Sequence, residues 1–135
     1  MIPYNTNLAA EFHVLSVLHR LGMEATLTLG NKKSVDIVVV RGSGKAVTLD
    51  VKGLAGTTSW PVDNVDSQSR DHFLVLVSYL GRMADPTAQP EVYVLPASRL
   101  QGLVYRNPGR TRKVLPLSTM RKKGSEFKSA WHLLR

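Results

Sequence analysis

The sequence predicts an α/β fold built from an opening helix and one mixed β-sheet. Apolar residues recur with helical spacing over 5–24, which predicts the helix. Segments 35–40 and 46–52 are rich in β-branched residues and flank a glycine-containing loop, as the two strands of a hairpin do. The run 73–80 is apolar at almost every position, which is typical of a strand at the centre of a covered sheet.

The remaining elements complete an order of helix, three strands, crossover, strand, loop, strand and helices. Asn5 or Thr6 can cap the opening helix. Segment 53–69 holds Gly, Thr, Pro, Asp and Ser with little periodicity, which predicts an irregular crossover with a short helix near 65–70. The other patterns predict strands over 25–29 and 91–95, and helices over 97–104 and 125–134.

Charge divides the 135-residue chain into two parts, although its length predicts a single domain over 1–135. Residues 1–100 carry 9 basic and 9 acidic side chains. Residues 101–135, called here the basic segment, carry 9 basic side chains and one acidic side chain. The net charge of +8 therefore lies entirely in the basic segment, which follows a neutral core over about 5–95. Such an excess attracts polyanions.

Composition excludes several classes of site and location. The chain has no cysteine, which excludes disulfides, thiol nucleophiles and cysteine-bearing metal sites. No apolar run reaches the roughly 18 residues that span a bilayer, and the first residues lack the layout of a signal peptide. We therefore expect a soluble, cytoplasmic protein with no membrane partner.

A carboxylate interrupts the apolar face of the opening helix. On a wheel at about 100° per residue, Glu11 falls near the middle of an apolar arc, roughly 40° from Leu15 and 20° from Leu18. The arc consists of Leu8, Phe12, Val14, Leu15, Val17, Leu18 and Leu21. A buried carboxylate is costly unless a cation neutralises it. Either Glu11 belongs to a buried site, or it reaches solvent near the helix start, where the helix dipole favours it.

Two aspartates and a lysine share one face of the predicted hairpin. If 41–45 is the loop, the register places Asp36 opposite Asp50, with Lys52 two residues further along. Opposed residues have Cβ atoms about 4.5–5.5 Å apart, so the two carboxylates repel unless a cation neutralises them. The alternative is an ordinary polar hairpin face. The loop itself, RGSGK, joins two strands instead of opening a helix, so its sequence indicates hairpin geometry and not a phosphate-binding loop.

Together these residues resemble the PD-(D/E)XK nuclease superfamily over about residues 5–80. The resemblance implies a restriction-endonuclease-like αβββαβ core with a central mixed sheet flanked by helices. The helix-first order with an inward glutamate is most similar to the branch of small Holliday-junction resolvases. Val35 stands where the family usually has proline, and Asp50 is the less common choice at its position.

The resemblance implies a metal site and a function. Glu11, Asp36 and Asp50 would hold Mg²⁺ or Mn²⁺ with the Val51 carbonyl, and Lys52 would polarise the attacking water. The implied activity is a divalent-metal-dependent endonuclease that hydrolyses phosphodiester bonds in DNA. We expect structure-directed or weakly sequence-specific cleavage, because the chain has no room for a separate reading domain. A homodimer would supply the second site that cutting two strands requires.

The basic segment offers candidate contacts to nucleic acid, with DNA expected and RNA left open. Arginine and lysine spaced along loops suit phosphate contacts. The candidate residues are Arg106, Arg110, Arg112, Lys113, Arg121, Lys122 and Lys123.

Two other classes of protein stay open. One is a catalytically inactive nuclease-fold module that only binds nucleic acid, and the other is a protein-interaction subunit whose acids are ordinary surface. Two single residues also have open roles. Trp60 either stacks on a base or closes the core, and His72 precedes the central strand, where it could contact substrate.

Overall fold

The computed structural model describes residues 5–28, 35–106, 108–109 and 112–135. Its helices and strands, in chain order, are α1 (Thr6–Arg20), β1 (Glu24–Leu27), β2 (Ile37–Val40), β3 (Ala46–Leu54), β4 (Ser59–Pro61), β5 (His72–Ser78), β6 (Glu91–Pro96), β7 (Tyr105–Arg106), β8 (Lys113–Pro116) and α2 (Leu117–Lys123). Single-turn 3₁₀ helices lie at Ala97–Arg99, Ser125–Phe127 and Trp131–Leu134.

Five strands form the central sheet in the order β1-β2-β3-β5-β6. Strand β3 pairs antiparallel with β2 and parallel with β5, so the sheet is mixed. Strands β4, β8 and β7 form a second, antiparallel sheet. The predicted α/β class with a central mixed sheet is therefore confirmed.

Helix α1 packs on one face of the central sheet. Asn5 caps it, because its side-chain oxygen accepts a hydrogen bond from the Leu8 amide at 3.2 Å. The positions that α1 buries repeat every four residues and are Ala10, Val14 and Leu18. The predicted apolar arc is too wide, and its exposed members are Leu8, Phe12 and Leu21. A single helix on a sheet buries a narrow stripe, which the wheel cannot centre without knowing where the sheet lies.

The second sheet packs against the opposite face of the central sheet. Trp60 of β4 is fully buried, and its indole N–H donates to the Val77 carbonyl at 3.2 Å. Its ring also meets the Tyr93 ring edge-on, with 6.5 Å between the centroids. Trp60 therefore closes the core. The basic segment contributes to the same core through Leu115, Leu117 and Met120.

Three of the predicted helices differ from the structure. The helix expected near 65–70 is absent, since the crossover consists of β4 and turns. The helix expected over 97–104 is one 3₁₀ turn. The helix expected over 125–134 is interrupted at Ser129, which has a φ of 50° and donates its amide to the Val92 carbonyl. Within the described ranges, no helix is long and apolar enough to cross a membrane.

The start of α1 lies directly against the end of β3. The Gly53 amide donates to the side-chain oxygen of Asn7 at 2.8 Å. A Cβ atom at Gly53 would lie 2.6 Å from the Thr6 carbonyl oxygen, a distance that backbone and side chain cannot share. Only glycine therefore allows this approach, which holds the start of α1, including Asn7, beside Lys52.

Gly53→Ala is expected to lower the free energy of unfolding by about 1–3 kcal/mol, because the new methyl group forces α1 away from β3. Urea denaturation followed by circular dichroism measures the change. Gly56→Ala is the matched control, since a Cβ there meets nothing within 4 Å, and its effect should stay within about 0.5 kcal/mol. Equal stabilities for the two variants would contradict the close packing at Gly53.

Candidate active site

The hairpin register brings the two aspartates together as predicted. Val40 pairs with Ala46 and Ile37 with Leu49, and the same register continued by one residue places Asp36 opposite Asp50. The Asp36 amide still donates to β3, at 2.7 Å from the Leu49 carbonyl oxygen.

Strand β2 begins at Ile37, the residue after Asp36. The next hydrogen bond to β3 is made by the side chain of Asp36 instead of a backbone group. Its Oδ2 atom accepts a hydrogen bond from the Val51 amide at 2.7 Å. Because alternate residues of a strand direct their backbone groups to the same neighbour, the Val51 carbonyl faces the Asp36 side as the Leu49 carbonyl does. Backbone and carboxylate oxygens thus meet at one edge of β3.

Asp50 is the most buried acid of this group, with 1% of its surface exposed. Its Oδ1 atom lies 3.3 Å from the Lys52 ammonium, whereas its buried Oδ2 atom has no hydrogen-bond partner among the described residues. Burial raises the pKa of Asp50 to about 6, the Lys52 charge opposes this rise, and the Asp36 charge adds to it. An oxygen in this state is an acceptor without a donor, which is costly to bury.

Glu11 reaches the same place from α1. The residue is half-buried, at the border of the stripe that α1 buries, and not at its centre as the wheel predicted. Burial raises its pKa, and the negative charges of Asp36 and Asp50 raise it further. The structure therefore places Glu11 close to both aspartates and not alone in solvent. Of the two readings left open by the sequence, the geometry favours membership of a buried site.

The donor chemistry fits a divalent cation, although the carboxylates are not arranged as a finished cation site. Within the described part of the chain, no three His, Asp or Glu side chains converge in metal-binding geometry. Asp36 is directed at the Val51 amide and one oxygen of Asp50 at Lys52. The partnerless Oδ2 atom of Asp50, three neighbouring carboxyl groups and a backbone carbonyl are nevertheless the oxygen donors that Mg²⁺ and Mn²⁺ accept.

A pocket of about 240 Å³ lies between Lys52 and the basic segment. It is lined by Lys52, by Asn7 of α1 and by Arg112. The Arg112 guanidinium lies 3.3 Å from the exposed Asp63 carboxylate at the same pocket. Sequence reasoning missed Asn7, whose only signal was a polar side chain in the first helical turn. The pocket places a cation of the basic segment beside the motif lysine.

The other predicted nucleic-acid contacts divide between two regions. Arg106 and Lys113 stand directly opposite each other on β7 and β8, and both are exposed. Arg121 is instead engaged by Glu91, with hydrogen bonds of 2.9 and 3.0 Å, which hold the pKa of Glu91 well below its usual range. Lys122 and Lys123 are exposed at the end of α2, and Arg110 lies outside the described residues.

Arg121 is therefore a poorer candidate for a phosphate contact than Arg112, because it makes two hydrogen bonds to a Glu91 side chain that is only 9% exposed. Arg112 makes a single hydrogen bond to Asp63, whose side chain is 34% exposed. The sequence could not show this, since Glu91 lies 30 positions earlier in the chain. Like charges directly opposite on paired strands repel. A bound anion would therefore reduce the repulsion between Arg106 and Lys113.

A solved structure of similar fold is that of a bacterial homing endonuclease, I-Ssp6803I. The two share a TM-score of 0.54 and 17% sequence identity, over 94% of this chain and 87% of the other. The fold is thus nuclease-like. No family model and no curated protein matches the sequence, so the PD-(D/E)XK superfamily and its Holliday-junction-resolvase branch stay predictions.

Asp50→Asn is expected to stabilise the protein in the absence of divalent cations. Burial raises the pKa of the Asp50 carboxyl from its ordinary value of 3.8 to about 6 in the folded protein. Its ionisation therefore opposes folding, increasingly as pH rises through that window and fully above it. A tenfold change in acidity corresponds to about 1.4 kcal/mol, so the full cost is on the order of 3 kcal/mol. Thermal denaturation in EDTA at about pH 4 and pH 8 measures it.

Asp63→Asn is the control of opposite sign. The Lys113 amide lowers the pKa of Asp63, so this carboxylate stabilises the fold when ionised, and the benefit is lost as pH falls through its folded pKa. The variant should therefore melt below the wild type at about pH 8 and approach it in acid. A melting temperature of Asp50→Asn at or below that of the wild type at about pH 8 would contradict the claim that ionised Asp50 destabilises the fold.

Proposed function

We propose that the protein is a divalent-metal-dependent endonuclease that hydrolyses phosphodiester bonds in DNA, with structure-directed or weak sequence specificity. The observation that carries the proposal is the partnerless, buried oxygen of Asp50 beside Asp36, Glu11 and Lys52. A nuclease-like fold supports it. A purely structural role would not favour this group of acids, since burying Asp50 beside two half-buried carboxyl groups costs folding free energy.

Asp36, Asp50 and Glu11 would hold the cation, together with the Val51 carbonyl. A bound Mg²⁺ or Mn²⁺ supplies Lewis-acid chemistry and lowers the pKa of water near it. The protein residues prepare for this charge, because the Val51 amide already holds the Asp36 carboxylate in one orientation. Metal-binding carboxyl groups act in their ionised form, so the raised pKa values of Asp50 and Glu11 make occupancy weaker in acid.

Lys52 acts on the phosphate that is cut. Its ammonium lies against Asp50 and its side chain is 21% exposed, so it reaches both the acid group and the pocket that contains Asn7 and Arg112. From this position it can neutralise charge that develops on the phosphate oxygens in the transition state, or orient the attacking water. The attraction between the Lys52 ammonium and the phosphate oxygens is strongest when negative charge develops on them, because the mostly buried side chain is weakly screened by water.

The basic segment would contact the backbone beside the cut. Arg112 lines the pocket at Lys52, and Arg106 and Lys113 present two adjacent charges on β7 and β8. Contacts of this kind recognise phosphates and not base edges. They agree with weak sequence specificity. Cleavage of both strands of a duplex would use a second copy of the chain, which we propose as a homodimer.

Asp36→Asn, Asp50→Asn and Lys52→Gln are each expected to lower the cleavage rate about 100-fold or more, since each removes a charged group at the reacting phosphate. The assay uses duplex and branched DNA with Mg²⁺ or Mn²⁺. The two aspartate variants should retain their affinity for the same DNA in EDTA, because they remove no cation that contacts the phosphate backbone.

Asp85→Asn is the matched control for these variants. Asp85 lies in the loop after β5, where its carboxylate accepts hydrogen bonds from Thr87, and its loss should leave cleavage unchanged. Wild-type protein that binds DNA but cuts no substrate with either cation would favour the inactive module. Absence of binding even at low salt would favour the protein-interaction subunit.

Arg112→Gln and Lys113→Gln are each expected to weaken duplex binding and to reduce the slope of log K against log salt concentration by about 0.9, the value for one lost phosphate contact. Fluorescence anisotropy in EDTA measures both quantities. Arg121→Gln removes the same charge but breaks the ion pair with Glu91, so it should change stability and leave the slope intact. Equal slopes for all three variants would contradict this division of the basic segment.

A further inference from the structure

A second polar pocket lies at the opposite end of β3 from Lys52. It has a volume of about 460 Å³ and is formed where the β2–β3 loop, the end of the crossover and the residues after β6 meet. Three cationic side chains line it: Arg41, Lys45 and Arg70. The volume falls within the range of small-ligand sites and accommodates a nucleotide unit. None of these residues belongs to the candidate active site.

His72 supplies an unpartnered polar group in the wall of this pocket. The residue is 5% exposed, and its Nδ1 atom lies 2.6 Å from the Thr48 hydroxyl oxygen. Its Nε2 atom is buried and has no hydrogen-bond partner among the described residues. Buried polar atoms of folded proteins are almost always paired. The Nε2 atom therefore indicates a ligand group that the protein alone does not provide.

Arg41 is held in place at the same pocket. One of its terminal nitrogens donates to the Leu133 carbonyl at 2.9 Å, and its guanidinium stacks 5.9 Å from the centroid of the Phe73 ring. The Nε atom of Arg41, like the Nε2 atom of His72, is buried and has no hydrogen-bond partner among the described residues. A guanidinium fixed by packing loses little freedom when it binds an anion.

The charge of the pocket is positive after its acids are counted. Asp71 is the acidic residue in the lining, and its carboxylate lies 3.1 Å from the exposed Lys45 ammonium. Asp66 lies near enough to His72 to act on it electrostatically. The side chains of the Lys45–Asp71 pair are 66% and 40% exposed, so the pair is weak and Lys45 can meet a phosphate together with Arg41 and Arg70. The RGSGK loop thus contributes through its two terminal side chains, Arg41 and Lys45, and not through its glycine backbone.

We propose that this pocket binds a phosphate group of a nucleic acid, held by Arg41, Lys45 and Arg70 and contacted by His72. The proposal rests on the proposed function and names where a second part of the substrate backbone is held. Thr48, which bonds His72, lies two residues before Asp50 on the same face of β3, about 7 Å along the strand. Lys52 lies four residues after Thr48, about 13 Å along the strand, which corresponds to about four base pairs of rise along a DNA duplex. The pocket and Lys52 would therefore contact the backbone on either side of Asp50.

Arg70→Gln and Lys45→Gln test the proposal by DNA binding in EDTA, where no cleavage occurs. Each variant should weaken binding to a short duplex with 5′-hydroxyl ends and lower the slope of log K against log salt concentration by about 0.9. Arg82→Gln is the matched control, since this exposed arginine pairs with Asp85 in the β5–β6 loop and its loss removes the same net charge. Both pocket variants change exposed side chains, so the fold should persist, and circular dichroism checks that it does.

The same duplex with 5′-phosphate ends distinguishes the two sources of phosphate. Equal losses on both duplexes indicate an internal backbone phosphate, whereas a loss confined to the phosphorylated duplex indicates a terminal phosphate. Slopes for Arg70→Gln and Lys45→Gln that match Arg82→Gln on both duplexes would overturn the proposal.

Cleavage assays separate this result from the proposed function. Cleavage that depends on Asp50, together with unaltered salt slopes for Arg70→Gln and Lys45→Gln, would support the nuclease activity and contradict the phosphate pocket. Altered salt slopes in a protein that cuts no DNA would support the phosphate pocket and contradict the nuclease activity.

Discussion

The burial of Asp50 is the constraint around which the rest of the molecule is arranged. A carboxylate at the centre of a sheet loses water, and among the residues that the structure describes only one of its oxygens gains a partner, Lys52. Its charge is tolerated because strong packing surrounds it. Helix α1 packs on one face of the sheet and the second sheet on the other. The hydrophobic free energy of these two clusters offsets a group that by itself opposes folding.

Strand β3 converts this constraint into a site, because its two-residue period sets what lies on each face. Val47, Leu49 and Val51 belong to the core with α1, so the alternate residues Asp50 and Lys52 share the other face. Gly53 then admits the start of α1. Since β2 pairs with β3 only from Ile37 onward, the backbone edge at Val51 is left for a side chain, which Asp36 provides.

Much of this region could be predicted from the sequence because it depends on local rules. Alternating β-branched residues and a five-residue loop define the hairpin register, and the register alone brings Asp36 to Asp50. Contacts between distant segments could not be predicted. The ion pair of Arg121 with Glu91, the bond from Ser129 to Val92 and the approach of Asn7 to Gly53 join residues 30 or more positions apart. Periodicity carries no information about such partners, so the prediction of a helix over 125–134 was wrong and the ion pair of Arg121 was not foreseen.

The packing of the basic segment changes how its charge would act. As an unstructured tail, each cation would lose conformational freedom on meeting a phosphate. Instead β8 pairs with β4, and Leu115, Leu117 and Met120 are buried in the core behind it. Lys113 is the first residue of β8 and Arg112 directly precedes it, and Arg112 lines the pocket that contains Lys52. A cation on an already ordered segment of the protein spends less of its binding energy on ordering. It would also hold the phosphate backbone of a bound nucleic acid in one position relative to the acids. Folding of the basic segment thus links affinity to geometry, which a flexible tail of equal charge would not do.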